Sequence, residues 1–262
     1  MIIADDFGLG RMHDAVILSL IAEGRIDGTS VMIDGAMTAA DIATLRALRD
    51  DGARIGLHLN LTHDFDVSFP SMPLGALMKA SLSRRLPAVF GADFQRQTAR
   101  FVEVFGGLPD YYDGHQHCHC LPGLSRIAAA LPGAGVAWMR VPLPATPSGL
   151  WANMRAGGFK VAVIAALAWR ARTHFRKAGF ATNSDFSGFL RLDDPDAVAV
   201  WLPRLMAAAA GEGLIMTHPG AVDDPSQCEG HAARSRAVEA RLLRRPTAPA
   251  RKSESIFGKH DA

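Results

Sequence analysis

Hydrophobic and polar positions along this chain alternate between two periods, and the switch from one to the other recurs in an order that predicts a β/α architecture. Short apolar runs that read as strands fall at residues 1–4, 29–33, 54–61, 111–115, 136–141 and 214–217. Apolar positions three and four apart predict helices at 12–23, 41–50, 94–105, 124–131, 152–177 and 197–210. The first helix stops at Gly24, suited to a left-handed cap, and the second carries Ile42, Leu45 and Leu48 on one face with Asp41 near its start. In the run 54–61, Ile55, Leu57, Leu59 and Leu61 share one parity while Gly56, His58 and Asn60 share the other, so His58 faces away from the leucines. The stretch 142–149 holds three prolines and reads as a loop. Residues 159–169, interrupted by Lys160, are too short to cross a bilayer and read as a surface or lid helix. Beyond Gly220 the periodic signal fades.

A parallel barrel of roughly 250 residues absorbs nearly all of the 262 present. The expected organisation is therefore one domain over residues 1–243, with a helical insertion near 150–180. Residues 244–262, rich in Arg, Pro, Lys and Ser, are expected to be a disordered tail. Hydrophobic residues at 48% and charged residues at 21% permit a large core. A formal net charge of +2 from 28 basic and 26 acidic residues argues against nucleic acid as a partner. Cys118 and Cys120 sit in a histidine-rich run and Cys228 stands alone, a usage that fits a reducing compartment. No basic-then-apolar leader precedes Asp5, so a cytoplasmic location is expected. A homodimer is the base-rate expectation for oligomeric state.

Unusual polar residues stand at the C-terminal ends of the expected strands: Asp5 and Asp6, His58, His115, Arg140 and His218. In parallel β/α barrels that end builds the active site. Adjacent carboxylates after a strand suit a metal ligand plus a base, although a helix cap would use the same residues. Residues 113–120 read Asp-Gly-His-Gln-His-Cys-His-Cys, and an extended chain there would project His115, His117 and His119 on one face. Two imidazoles and one carboxylate with open positions make a hydrolytic metal centre, and Asp6, His58 and one histidine of the cluster supply that set. A closed structural zinc site from His115, His117, Cys118 and Cys120 is the competing arrangement, but adjacent ligands rarely surround one ion. His218 precedes Pro-Gly, which would present its ring at the barrel mouth, with Asp223 and Asp224 close enough downstream to orient it. Asp6-Phe7-Gly8 matches the metal-binding triplet of protein kinases, yet no glycine-rich loop or catalytic lysine precedes it.

The segments Ala4-Asp5-Asp6-Phe7-Gly8, Gly56-Leu57-His58-Leu59-Asn60-Leu61-Thr62, Asp113-Gly114-His115-Gln116-His117-Cys118-His119 and Thr217-His218-Pro219-Gly220 resemble the YdjC family of carbohydrate deacetylases. The likeness covers roughly residues 1–225. The family includes chitooligosaccharide deacetylases and members associated with hopanoid biosynthesis, and the stretch 169–188 is closer to the latter. The resemblance implies a distorted parallel β/α barrel related to polysaccharide deacetylases. It also implies a divalent ion, magnesium or zinc, held by Asp6, His58 and His115. Asp5 would then be the general base and His218 the general acid. Arg140 would touch substrate or a carboxylate, with Asn60, Asp113 and His117 lining the substrate or standing behind the ligands. The implied reaction is hydrolysis of the acetamide of an N-acetylated sugar, oligosaccharide or glycolipid head group. The rivals are a metal-dependent hydrolase of a phosphoester or cyclic amide, and a non-catalytic sugar- or metal-binding relative. This chain departs from the family in the short run before Asp5 and in lacking a recognisable final helix and strand after Leu243, losses that would weaken barrel closure.

Overall fold

A computed structural model describes residues 1–67, 69–209, 213–226 and 231–245; Cys228 and residues 246–262 of the expected tail lie outside the described residues. Eight strands form one sheet: β1 (Ile2–Phe7), β2 (Gly28–Val31), β3 (Arg54–Leu59), β4 (Tyr111–Gly114), β5 (Trp138–Met139), β6 (Ala181–Thr182), β7 (Phe186–Ser187) and β8 (Leu214–Thr217). Their order is β6-β5-β4-β3-β2-β1-β8-β7, and every ladder is parallel. Only residues 183–185 separate β6 from β7 at the two edges of the sheet. Four peptide steps reach about 14 Å at most, so the sheet must curl until its edges nearly meet. Among the described residues no ladder joins them, and the result is a barrel with one open seam. Asn183 patches it, accepting from the Val141 N–H at 2.7 Å and donating to the Val141 and Asp185 carbonyls at 2.9 Å each.

The helices are α1 (Arg11–Ala22), α2 (Ala39–Asp50), α3 (Leu74–Leu82), α4 (Val89–Phe105), α5 (Leu124–Ala129), α6 (Pro147–Gly157), α7 (Lys160–Lys177), α8 (Pro195–Ala208) and α9 (Ala233–Leu243). Strong N-terminal signals start three of them. Thr38 and Asp41 close a capping box at α2, while α6 and α8 open with Thr-Pro and Asp-Pro, the cap side chain accepting from the third helical N–H. The expected helix over 152–177 is two helices broken at Gly158, whose φ is 85°. Four elements absent from the sequence reading are α3, α9 and the two-residue strands β6 and β7. No helix among the described residues is long and apolar enough to cross a membrane.

Strand parity sorts the core into two layers. Ala4, Val31, Leu57, Leu59, Tyr112 and Met139 face outward and pack beneath the helices with Phe94 and Phe101 of α4. The opposite parity, Ile3, Tyr111, Trp138, Phe186, Leu214 and Met216, fills the inside of the curl at its base. Tyr111 stacks on Trp138 there with centroids 4.3 Å apart, and a Cβ at Gly56 would overlap the Tyr111 ring. Strand β1 pairs with β2 on one side and β8 on the other.

Candidate active site

Continuing the inward parity two residues beyond the base layer leads from Ile3 to Asp5, from Gly56 to His58, from Tyr111 to Asp113 and His115, from Trp138 to Arg140, and from Met216 to His218. All six polar residues are at least nine-tenths buried. Asp6 has the wrong parity, and the backbone corrects it. Ala4 pairs with Thr29 but Phe7 with Val31, so β1 carries one extra residue, and Asp6 adopts a left-handed φ of 68°. This bulge brings two consecutive carboxylates to one side of the sheet at a cost of roughly 1–2 kcal/mol for the left-handed residue. Gly8, with φ 97°, follows immediately, and a Cβ there would meet Met32 O at 2.7 Å.

Asp6 Oδ1 lies 3.0 Å from His115 Nδ1 and 3.4 Å from His58 Nε2, and the three donors fall within 4.8 Å of one another. His58 turns its Nε2 inward because Nδ1 is tied to Asp113 Oδ1 at 2.6 Å. Burial alone would lower the His58 pKa, but Asp113, Asp5 and Asp6 outweigh it and push the ring up to about 10. Asp113 is fixed in turn by Ser30 Oγ at 2.5 Å and Arg140 Nη1 at 3.0 Å. Arg140 is fully buried and grips Asp5 with both terminal nitrogens, 2.6 Å to each oxygen. Burial would raise Asp5, yet the guanidinium and nearby histidines hold it down at about 2. Of the two contacts expected for Arg140, the carboxylate is the one observed. His218 Nε2 stands 3.9 Å from Asp5 Oδ2. Burial lowers His218 to about 4, against the pull of Asp6 and Asp5.

The cysteine–histidine run does not stay extended. Residues His115–Cys120 form a tight 3₁₀ turn with left-handed Gln116 and His117, and the side chains diverge. His115 meets Asp6, His117 packs its ring against Phe186 and Phe189, His119 Nε2 meets the Arg140 carbonyl at 2.8 Å, and Cys118 Sγ donates to the Leu59 carbonyl. A closed zinc site from this run is therefore not assembled, and Cys118 and Cys120 are buried free thiols. Asn60 accepts from the Thr62 and His63 N–H groups and donates to the His63 carbonyl, closing the turn that ends β3. Asp224 caps a helix. It accepts from Met12 N and His13 N at the start of α1, and the His218 N–H donates to Glu239 Oε2 at 2.6 Å.

Four residues complete the site without having been expected there. Ser30 shares the inward parity of β2 and could have been found by it. Arg236 and Glu239 come from α9, both buried, and His231 precedes that helix. Arg236 Nη2 meets Asp6 Oδ2 at 2.7 Å. Glu239 is pushed up to about 8 by burial, with Asp5 and Asp6 adding to the rise and the His218 N–H and Arg236 opposing it.

A family model described as YdjC-like protein matches residues 1–252. Among curated relatives, a carbohydrate deacetylase of Homo sapiens is 31% identical over 62% of this chain and 54% of its own length. A chitooligosaccharide deacetylase of Serratia marcescens is 31% identical over 50% and 54%, and one of Proteus mirabilis is 27% identical over 87% and 83%. In the first two of these comparisons the match spans about half the length of the relative. In overall shape the chain is similar to an Enterococcus faecalis V583 protein named for cellobiose-phosphate cleavage, with a TM-score of 0.61 at 16% identity over 93% of this chain and 89% of that one. That likeness concerns the fold, whereas the family match runs through every strand that carries the site, and on it this chain belongs to the YdjC-like family.

Proposed function

We propose that this chain is a carbohydrate N-deacetylase that hydrolyses the acetamide of an N-acetylated sugar with one divalent ion. The observation that carries the reading is the bulge in β1, which places Asp6 against His58 and His115 while Asp5 beside it is clamped by Arg140. The relatives named carbohydrate deacetylase and chitooligosaccharide deacetylase support the same substrate class. In this reading residues 1–243 work as one domain around one site, and α6 and α7 form its inserted flap.

The residues present fit an ion. Donor separations of 3.0 and 3.4 Å around Asp6 Oδ1 match those of ligands sharing one metal at about 2.0–2.2 Å, and a carboxylate behind His58 Nδ1 is the usual support of a ligating imidazole. Asp6, His58 and His115 would hold it. Two imidazoles favour zinc or another borderline ion, and magnesium remains compatible with the carboxylate. Bound there, the ion supplies Lewis acidity to the acetamide carbonyl and to the attacking water.

The remaining steps belong to side chains. Asp5, kept ionised and fixed in direction by two hydrogen bonds from Arg140, accepts the water proton on the oxygen that faces the site. Its Oδ2 stands near His218 Nε2, so the proton has a short path to the group that delivers it to the leaving amine. Burial and two nearby guanidiniums make protonated His218 a strong acid, which suits a poor leaving group. Tying the His218 N–H to Glu239 keeps the ring's backbone in place during that transfer.

Metal-stripped protein is given chitobiose or an N-acetylglucosaminyl lipid together with zinc, cobalt or magnesium, and acetate release is measured. Ion-dependent release supports the reading and ranks the substrates. A folded chain that binds an ion and releases no acetate, yet cleaves a phosphoester or cyclic amide, overturns it.

A further inference from the structure

Asp6 presents two carboxylate oxygens, and the fold uses both. Oδ1 faces His58 and His115. Oδ2 faces the other way, 4.0 Å from His231 Nδ1, and His218 joins these two as a second trio of donors within 4.8 Å of one another. The His218 and His231 rings meet edge to face with centroids 4.9 Å apart. One carboxylate with a pair of imidazoles on each side is the donor layout of a bridged two-ion centre, whose ions stand about 3.5–4 Å apart.

That second position is filled by the protein itself. Arg236 Nη2 lies 2.7 Å from Asp6 Oδ2 and 3.0 Å from His231 Nδ1, and both Asp6 and Arg236 are only 1% exposed. We propose that Arg236 is a built-in second cation, whose guanidinium occupies the Asp6–His231 side of the centre and restricts it to a single ion on the His58–His115 side. The inference rests on the reading above that Asp6, His58 and His115 hold an ion. A guanidinium is never deprotonated in a protein and cannot dissociate, so Asp6 keeps a countercharge whether or not the exchangeable ion is bound. Without it, loss of the ion would leave the buried carboxylate only the neighbouring imidazoles as partners. The arrangement also turns His231 Nδ1 toward a cationic donor, which needs that nitrogen as an acceptor and keeps the ring neutral. In this way a donor set suited to two metals serves one.

The full chain is equilibrated with excess Zn2+, freed of unbound ion and assayed for metal by mass spectrometry, with folding followed by circular dichroism. The expected content is one ion per chain in the native protein, two in Arg236→Met, and one in Arg236→Lys, where an ammonium keeps the charge. The second ion of Arg236→Met is lost again when His231→Ala is added, whereas His58→Ala removes the first. A folded Arg236→Met chain holding one ion, a native chain holding two, or an Arg236→Lys chain holding two overturns the proposal. The lysine variant keeps the test open if the methionine variant does not fold. A native chain that binds no ion overturns the earlier reading instead, and is told apart because His58→Ala then changes nothing.

Discussion

The two halves of the site are built differently. Asp5, His58, Asp113 and Arg140 come from β1, β3, β4 and the end of β5, and each sits two residues past an inward-facing residue: Ile3, Gly56, Tyr111 and Trp138. On the other side, His218 follows the same rule from β8, but His231, Arg236 and Glu239 come from α9 and the chain before it. Strand periodicity specifies the first half almost residue by residue. The second half depends on where a helix docks, and the local pattern of α9 does not record that: Ala-Arg-Ser-Arg-Ala-Val-Glu-Ala-Arg reads as a solvated, charge-rich helix while Arg236 and Glu239, three apart, point inward together. Buried charges on a helix look like surface charges until their partners are known.

Proton transfer separates the two halves most sharply. If Asp5 is the base proposed above, Asp5→Asn should lower acetate release roughly 10²–10⁴-fold for every acetylated substrate, whatever group leaves. His218→Ala should cost a similar factor on a sugar acetamide but far less on an aryl acetate, whose leaving group needs no proton. Equal losses on both substrates would remove His218 from the acid role. Steady-state rates on the two substrate classes decide it.

Stability offers the next contrast. Native Glu239 holds its proton up to about pH 8, while the unfolded chain releases it near 4.5. The native state therefore binds the extra proton between those values, and stability falls as pH rises across that window. Glu239→Gln should remove this slope, raising stability at pH 8 relative to the native chain by on the order of a few kcal/mol. Urea midpoints measured from pH 5 to 9 test it. An unchanged slope would mean that another buried group dominates. On the strand side, Ser30→Ala leaves Asp113 Oδ2 and the Tyr111 hydroxyl each short of one partner, with an expected loss of about 1–3 kcal/mol and little pH dependence. Thermal unfolding at two pH values separates the behaviours of the two halves.

Much of this molecule is legible before any coordinates. The first half of β1, strands β3, β4 and β8, and helices α1 and α2 follow from period and capping residues. The two-residue strands β6 and β7 cannot be read, because two residues define no alternation, and α3 has no strong cap: Pro73 precedes it and no side chain closes its first turn. Within the site, an extended reading of residues 113–120 puts three histidines on one face, whereas the chain has to turn to reach α5. Only His115, still in register with β4, meets Asp6, and His117 and His119 end against Phe186, Phe189 and the Arg140 carbonyl. The neighbours Asp5 and Asp6 are visible as a pair, but strand alternation alone would separate them.

The extra residue in β1 also limits how this site can be copied or lost. A transplanted Asp-Asp dipeptide would present a single carboxylate to the interior of a regular strand, and the same would follow here from deleting one residue between positions 4 and 7. Substitutions can weaken either aspartate by degrees, whereas a one-codon deletion would remove one of the two roles outright, so the length of this short segment constrains the protein as tightly as its chemistry does.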